Sequence, residues 1–184
     1  MEEAMSLANG ILGFLAYKEM TGYDLTKAFD SSVRFFWHAQ KAQVYQTLDK
    51  LEKQGFVTHE RVVQDTRPNK KLYTITDDGR TAFLAWLAEG SGDNDFKSSL
   101  LMKLFFSGNL PIEQAIEHLE QFSADCEAFV EDMRQIPQAI EKYSRSAPAA
   151  DPLFWGLTAD FGARYMRMCI EWAQDSIKKL EASQ

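Results

Sequence analysis

The feature that most constrains this chain is a change of hydrophobic period that occurs and then reverses within one short stretch. Through residue 54 apolar residues recur at helical spacing, whereas Phe56 to Val63 and Lys70 to Thr76 read as strands. Between the strands, Gln64-Asp65-Thr66-Arg67-Pro68-Asn69 has turn chemistry. After Thr76 the helical period returns. Helices, one hairpin and a further helix in direct succession predict a mainly α fold with a small two-stranded β wing.

The flanking helices can be read individually. Residues 5–19 present Met5, Leu7, Ala8, Ile11, Leu12, Phe14 and Leu15 on one face, and Gly10 and Gly13 permit close packing of a neighbour. Residues 22–34 follow Thr21, an N-cap with Asp24 three positions on, and turn Tyr23, Leu25, Ala28 and Phe29 inward. Residues 40–54 have a single narrow stripe, Val44, Leu48 and Leu51, and Gly55 suits the position that ends a helix. Thr76 caps a fourth helix whose start is favoured by Asp77 and Asp78, and Phe83, Leu84, Trp86 and Leu87 line it.

The polar stretch Gly90-Ser91-Gly92-Asp93-Asn94-Asp95 divides the chain into a winged helix-turn-helix domain, 1–90, and a helical domain, 97–184. The second half reads as a short apolar helix over 97–107 and a long one opened by Pro111. The long helix carries Ile112, Ile116, Leu119, Cys126, Val130 and Met133, and Pro137 interrupts it. A break over 144–152 precedes a last helix, 153–181, with Leu153, Leu157, Phe161, Tyr165, Met168 and Trp172 in steps of mostly four.

Charge separates the halves. The formal net charge of −7 argues at first against a nucleic-acid partner. Residues 1–92, however, hold 11 Lys and Arg against 12 Asp and Glu, and residues 93–184 hold 9 against 15. Residues 41–71 alone hold 7 basic against 4 acidic residues, and local charge decides what meets phosphate.

Other classes find little support. Cys126 and Cys169, 43 residues apart, make neither a disulfide framework nor a zinc motif and read as reduced core thiols rather than a redox switch. His38, His59 and His118 have no metal-ligand spacing. There is no phosphate loop and no Ser/His/Asp order, so the chain is not expected to be an enzyme and needs no cofactor. The N-terminal apolar stretch, Ile11 to Tyr17, is too short to span a bilayer, and a cytoplasmic location is expected.

A helix with one apolar stripe fits the DNA major groove, about 12 Å wide, and offers its polar faces to base edges. Here those faces carry Lys41, Gln43, Gln46, Thr47, Lys50 and Lys53. Gln43, Gln46 and Thr47 are candidates for reading bases. Lys41, Lys50, Lys53, Arg61, Arg67, Lys70 and Lys71 are candidates for phosphate contact. Taken alone, residues 40–54 would be an ordinary solvated helix; the basic hairpin directly after them favours the DNA reading.

The segments Ile11-Leu12-Gly13-Phe14-Leu15, Gly22-Tyr23-Asp24-Leu25, Trp37 and Val44 to Val57 resemble the PadR family of bacterial transcriptional regulators, as do Arg67 to Gly79. The triplet Gln43-Val44-Tyr45 is similar to the branch containing virulence-gene activators. The likeness is close over the first half. In the second it extends only to the pattern of a helical dimerisation region. It implies a homodimer that binds an inverted-repeat operator in double-stranded DNA, more often as repressor than activator, with a small aromatic effector in several members. It also implies that Tyr45 lies near the DNA backbone, although the ring would equally pack at the helix edge. Many members have Ser, Thr or Gly where this chain has Gln40-Lys41-Ala42-Gln43, so an operator sequence does not transfer.

The two long helices cannot hide their stripes from water alone, and pairing with a second subunit through these C-terminal helices would cover the rest. Two recognition helices would then lie about 34–36 Å apart. The many large rings read chiefly as core or subunit seam. Phe154 and Trp155, placed after the Pro-containing break, are the candidates for an effector site. The alternative function is a winged-helix protein-interaction module without DNA binding; ion pairing of Arg67, Lys70 and Lys71 within the subunit would favour it.

Overall fold

The computed structural model describes residues 2–34, 36–37, 39–62, 69–90, 97–134, 136, 138, 140–141 and 151–183. The chain forms two compact units, residues 1–92 and 93–184. Arg67, Pro137, and most of the expected breaks at 90–95 and 144–152 lie outside the described residues.

The first unit runs α1 (Glu2–Tyr17), β1 (Met20–Thr21), α2 (Gly22–Ser32), α3 (Lys41–Lys53), β2 (Val57–Val62), β3 (Lys70–Ile75) and α4 (Asp77–Ala88). The hairpin of β2 and β3 is antiparallel, from Val57 opposite Ile75 to Val62 opposite Lys70. The sheet has a third strand that periodicity does not reveal. Met20 and Thr21 pair with Tyr73 and Leu72, giving the order β1-β3-β2. Two residues are too few to show alternation, and α1 accordingly ends at Tyr17 rather than residue 19.

The core joins all of these elements. Ile11, Leu12 and Leu15 from α1, Leu25 and Phe29 from α2, and Val44, Leu48 and Leu51 from α3 are buried with Val57 and Tyr73 of the hairpin. Gly10 and Gly13 of α1 receive the rings of Phe29 and Phe83. Tyr23 corrects the expectation for α2: it is 63% exposed, because Gly22, Leu25 and Phe29 form the inner face. On α4, Phe83 packs on the core, whereas Leu84 and Leu87 are exposed.

Two caps set the helix starts. The Thr21 hydroxyl accepts from the Asp24 amide at 3.1 Å while the Thr21 amide donates to Asp24 Oδ2 at 3.2 Å, a reciprocal box. That hydroxyl also donates to Asp24, which holds the carboxyl below its ordinary pKa. Gly55, at φ +77°, ends α3, and the Phe56 amide donates back to the Leu51 carbonyl at 2.9 Å. Thr76 then ties this turn to α4: its hydroxyl donates to the Gly55 carbonyl at 2.7 Å and accepts from the Gly79 amide at 3.0 Å.

The second unit comprises α5 (Ser99–Phe105), a 3₁₀ turn (Ser107–Asn109), α6 (Ile112–Met133) and α7 (Asp151–Glu181). The helix start at Asp151 places Asp151 and Pro152 inside α7 rather than in the break. The buried face of α6 is Ala115, Leu119, Ser123, Cys126 and Met133. On α7 the expected stripe of large residues does not supply the buried face. Leu153, Leu157, Phe161 and Met168 are exposed, and Gly162, Cys169 and Ala173 are buried instead. Small residues let the two helices approach closely, which leaves the large stripe facing away.

Gly79 is where the first unit tolerates no side chain. A Cβ there would meet the Phe56 carbonyl oxygen at 2.1 Å, and that oxygen already accepts from the Thr76 amide. Gly79→Ala is expected to cost about 3 kcal/mol or more, read as a lowered urea midpoint.

Candidate nucleic-acid interface

Three buried residues, Val44, Leu48 and Leu51, hold α3 against the core, and the rest of the helix faces outward. Lys41, Gln43, Gln46, Lys50 and Lys53 are exposed, and Thr47 is half-buried. Gln43 is partly committed to structure: its Oε1 accepts from the Gln40 amide at 3.0 Å. Its side-chain NH₂ remains available as a donor. A polar residue three positions after the helix start is the signal that it serves as a cap.

Tyr45 packs at the helix edge, as one of the two readings of its position expects. Its ring packs so closely on Gly22, at the start of α2, that a Cβ at Gly22 would lie 2.7 Å from a ring carbon. It nevertheless remains 39% exposed. Gly22 therefore seats Tyr45 between α2 and α3, a role the sequence does not display because the two residues lie 23 positions apart.

The wing places cations side by side. Arg61 of β2 stands directly opposite Lys71 of β3, and Lys70 follows at the strand end. All three are exposed. Like charges facing each other across a ladder are unfavourable unless an anion lies near. The carboxylate of Glu52 on α3 answers part of this charge, reaching to 3.9 Å from Lys71 Nζ.

Glu52 also contacts His59 Nδ1 on β2, and His59 lies against the ring of Tyr73, with centroids 5.6 Å apart. Lys71 Nζ stands 6.0 Å from that same ring. This cluster at the base of the wing joins helix to hairpin, and sequence reasoning missed it: its members come from three elements, and only strand register reveals that His59 faces Tyr73.

The effector candidates, Phe154 and Trp155, lie next to each other near the start of α7. Phe154 is 60% exposed on α7 and Trp155 is half-buried beside it. The one open depression described is lined elsewhere, by Lys97, Ser98, Leu101, Met102 and Phe105. No helix among the described residues is long and apolar enough to cross a membrane, and no group of three metal-ligating side chains is found among them.

A recognition helix with one anchored stripe, a basic hairpin beside it and a separate helical unit define the class of winged helix-turn-helix regulators. Comparison with known proteins agrees. Residues 11–85 match the transcriptional regulator PadR-like family, and residues 96–181 match the virulence activator alpha C-terminal domain. Residues 11–85 thus form a PadR-like family domain, and the relatives of the chain are transcriptional regulators rather than enzymes.

It is 29% identical over 157 residues to the negative transcriptional regulator PadR of Bacillus subtilis, covering 85% of this chain and 82% of that protein. The structure of Bacillus subtilis PadR in complex with operator DNA is similar at TM-score 0.77 and 25% identity, over 95% of this chain and 99% of the other. The Vibrio cholerae virulence activator AphA is similar at TM-score 0.73 and 26% identity, over 97% and 99%.

Tyr73 offers a test of how tightly the wing base is packed. It is 2% exposed, and its pKa is pushed up to about 12, first by burial and then by Asp49 and Glu52. The folded state therefore holds this proton more tightly than the unfolded chain, whose tyrosines titrate near 10. Stability from this group is complete below about pH 10 and falls as pH rises toward 12, by roughly 3 kcal/mol at most. Urea titrations at pH 9 to 12 should show this loss, and Tyr73→Phe should flatten it.

Proposed function

We propose that this chain is a sequence-specific regulator that acts as a homodimer on an inverted-repeat operator, as a repressor. The observation that carries this reading is the cross-strand pairing of Arg61 with Lys71, beside the exposed lysines of α3. A cation pair on a hairpin that a carboxylate answers only in part costs stability alone and is relieved by a phosphate backbone. Lys41, Lys50, Arg61, Arg67, Lys70 and Lys71 contact phosphates, and Tyr45 offers its hydroxyl to the same backbone. Gln43, through its NH₂, reads bases with Gln46 and Thr47. The negative regulator from Bacillus subtilis supports the sign of regulation.

The C-terminal unit forms the dimer. Leu153, Phe154, Leu157, Phe161 and Met168 are exposed on one subunit, and a twofold partner would remove them from water. Phe154 and Trp155 would meet an aromatic effector only in a space closed by that partner. The protein would act in the cytoplasm.

Of the three residues on which the docking-module alternative turns, Arg67 lies outside the described residues, and Lys71 is partly answered by Glu52 while its side chain stays 48% exposed. Lys70 makes no ion pair within 4.0 Å among the described residues and feels only the longer-range attraction of Asp24. This favours DNA.

Mobility shifts with the DNA upstream of the protein's own gene test the reading. The folded protein should shift it at low salt, with affinity falling steeply as salt rises. Absence of a shift at low salt would overturn the proposal. Lys70→Ala should weaken binding on every sequence alike and lower the salt slope by about 1. Lys71→Ala should lower it less, because Glu52 already neutralises part of that charge. Gln46→Ala should instead change the preferred base.

A further inference from the structure

The two cysteines lie on different helices of the second unit, and the register of those helices brings them together. The rings of Phe122 on α6 and Trp172 on α7 meet edge to face, with centroids 6.2 Å apart. Moving one turn forward on α6 and one turn back on α7 leads from this contact to Cys126 and Cys169, so the helices run antiparallel with the cysteines opposed. Both are buried, 5% and 6% exposed, and the thiols lie close enough to act electrostatically on each other. Tyr165, one turn earlier on α7, is near enough to Cys169 to be affected by it electrostatically. Ser123, Gly162 and Ala173, all buried, flank the pair, and side chains this small allow the short backbone separation that a disulfide needs.

We propose that Cys126 and Cys169 form a dithiol that a peroxide or a small-molecule disulfide converts into a cystine within one subunit, clamping α6 to α7. With a peroxide, each thiol first gives up its proton; one thiolate attacks an oxygen, the O–O bond breaks, and the departing hydroxide takes up one of those protons, giving a sulfenic acid and water. The second thiolate attacks that sulfur, and the displaced hydroxide leaves as water. Two thiols and hydrogen peroxide thus become one disulfide and two waters, with two electrons passing to the peroxide.

Burial pushes the Cys126 thiol up to about 11, so it carries little thiolate at neutral pH and reacts slowly while the helices are closed. The same burial shields the finished bond from reductants. The clamp fixes how α7 is rotated against α6, and α7 also presents the exposed face of Phe154, Leu157 and Phe161. The crosslink itself does not depend on the DNA-binding reading.

The test uses the full chain, reduced and then treated with diamide or hydrogen peroxide. In a second arm it is refolded from urea with oxidised glutathione, which gives the thiols access. After capping of free thiols in denaturant, mass spectrometry should find a loss of two hydrogens and a linked peptide joining 126 to 169. Non-reducing gels should show no covalent dimer. Tm should rise by about 5–10 °C and return with dithiothreitol. Cys126→Ser and Cys169→Ser should each abolish the rise. Covalent dimers, sulfinic or sulfonic acid without a linked peptide, or no link in the refolding arm would overturn the proposal. So would a linked chain whose Tm does not rise.

Discussion

One stripe of three side chains holds the recognition helix in place. Val44, Leu48 and Leu51 are all but fully buried, and each contributes about 1.5–3 kcal/mol by leaving water. The stripe suffices because it meets a core shared by every other element of the unit. Its narrowness is functional. A wider apolar face would take positions from Lys41, Gln46 and Lys50, which now face solvent. The anchor therefore sets both the stability of the helix and the breadth of the surface left to meet a partner.

The electrostatics follow from that placement. Once α3 is docked, Glu52 on its inner edge reaches the hairpin, where it contacts His59 and approaches Lys71. The acid lowers the local positive field but ties helix to wing. Arg61, level with Lys71, makes no ion pair among the described residues, and Lys70 feels only the longer-range attraction of Asp24. Charge is thus graded within the described hairpin, answered most at His59 and Lys71 and least at Arg61 and Lys70. Surface ion pairs contribute little to folding, so this grading bears more on binding than on stability.

Much of the first unit was legible in the sequence. The Val44, Leu48, Leu51 spacing, the Thr21 and Thr76 caps, Gly55 and the strand pair all carry local signals, and each appears where those signals place it. Tyr23 and Leu84 were not legible, since periodicity finds an apolar face but not its edges. β1 was too short to leave a pattern. The candidate site was legible as a set of polar residues on α3 and the wing. Its internal contacts, Gln43 on the Gln40 amide and Tyr45 on Gly22, were only partly so, because one is a local cap and the other a tertiary contact. In the second unit the stripe Leu153, Leu157, Phe161 was read correctly as apolar, but which residues would face α6 was not.

By itself, then, the sequence determined the order of elements, the caps that start them and the concentration of basic charge over 41–71, because each depends on neighbours a few residues apart. The tertiary structure alone decided that Arg61 opposes Lys71, that Gly22 seats Tyr45 and that Cys126 meets Cys169. These depend on strand register and helix approach, which are set by how whole surfaces fit and not by any local run of residues.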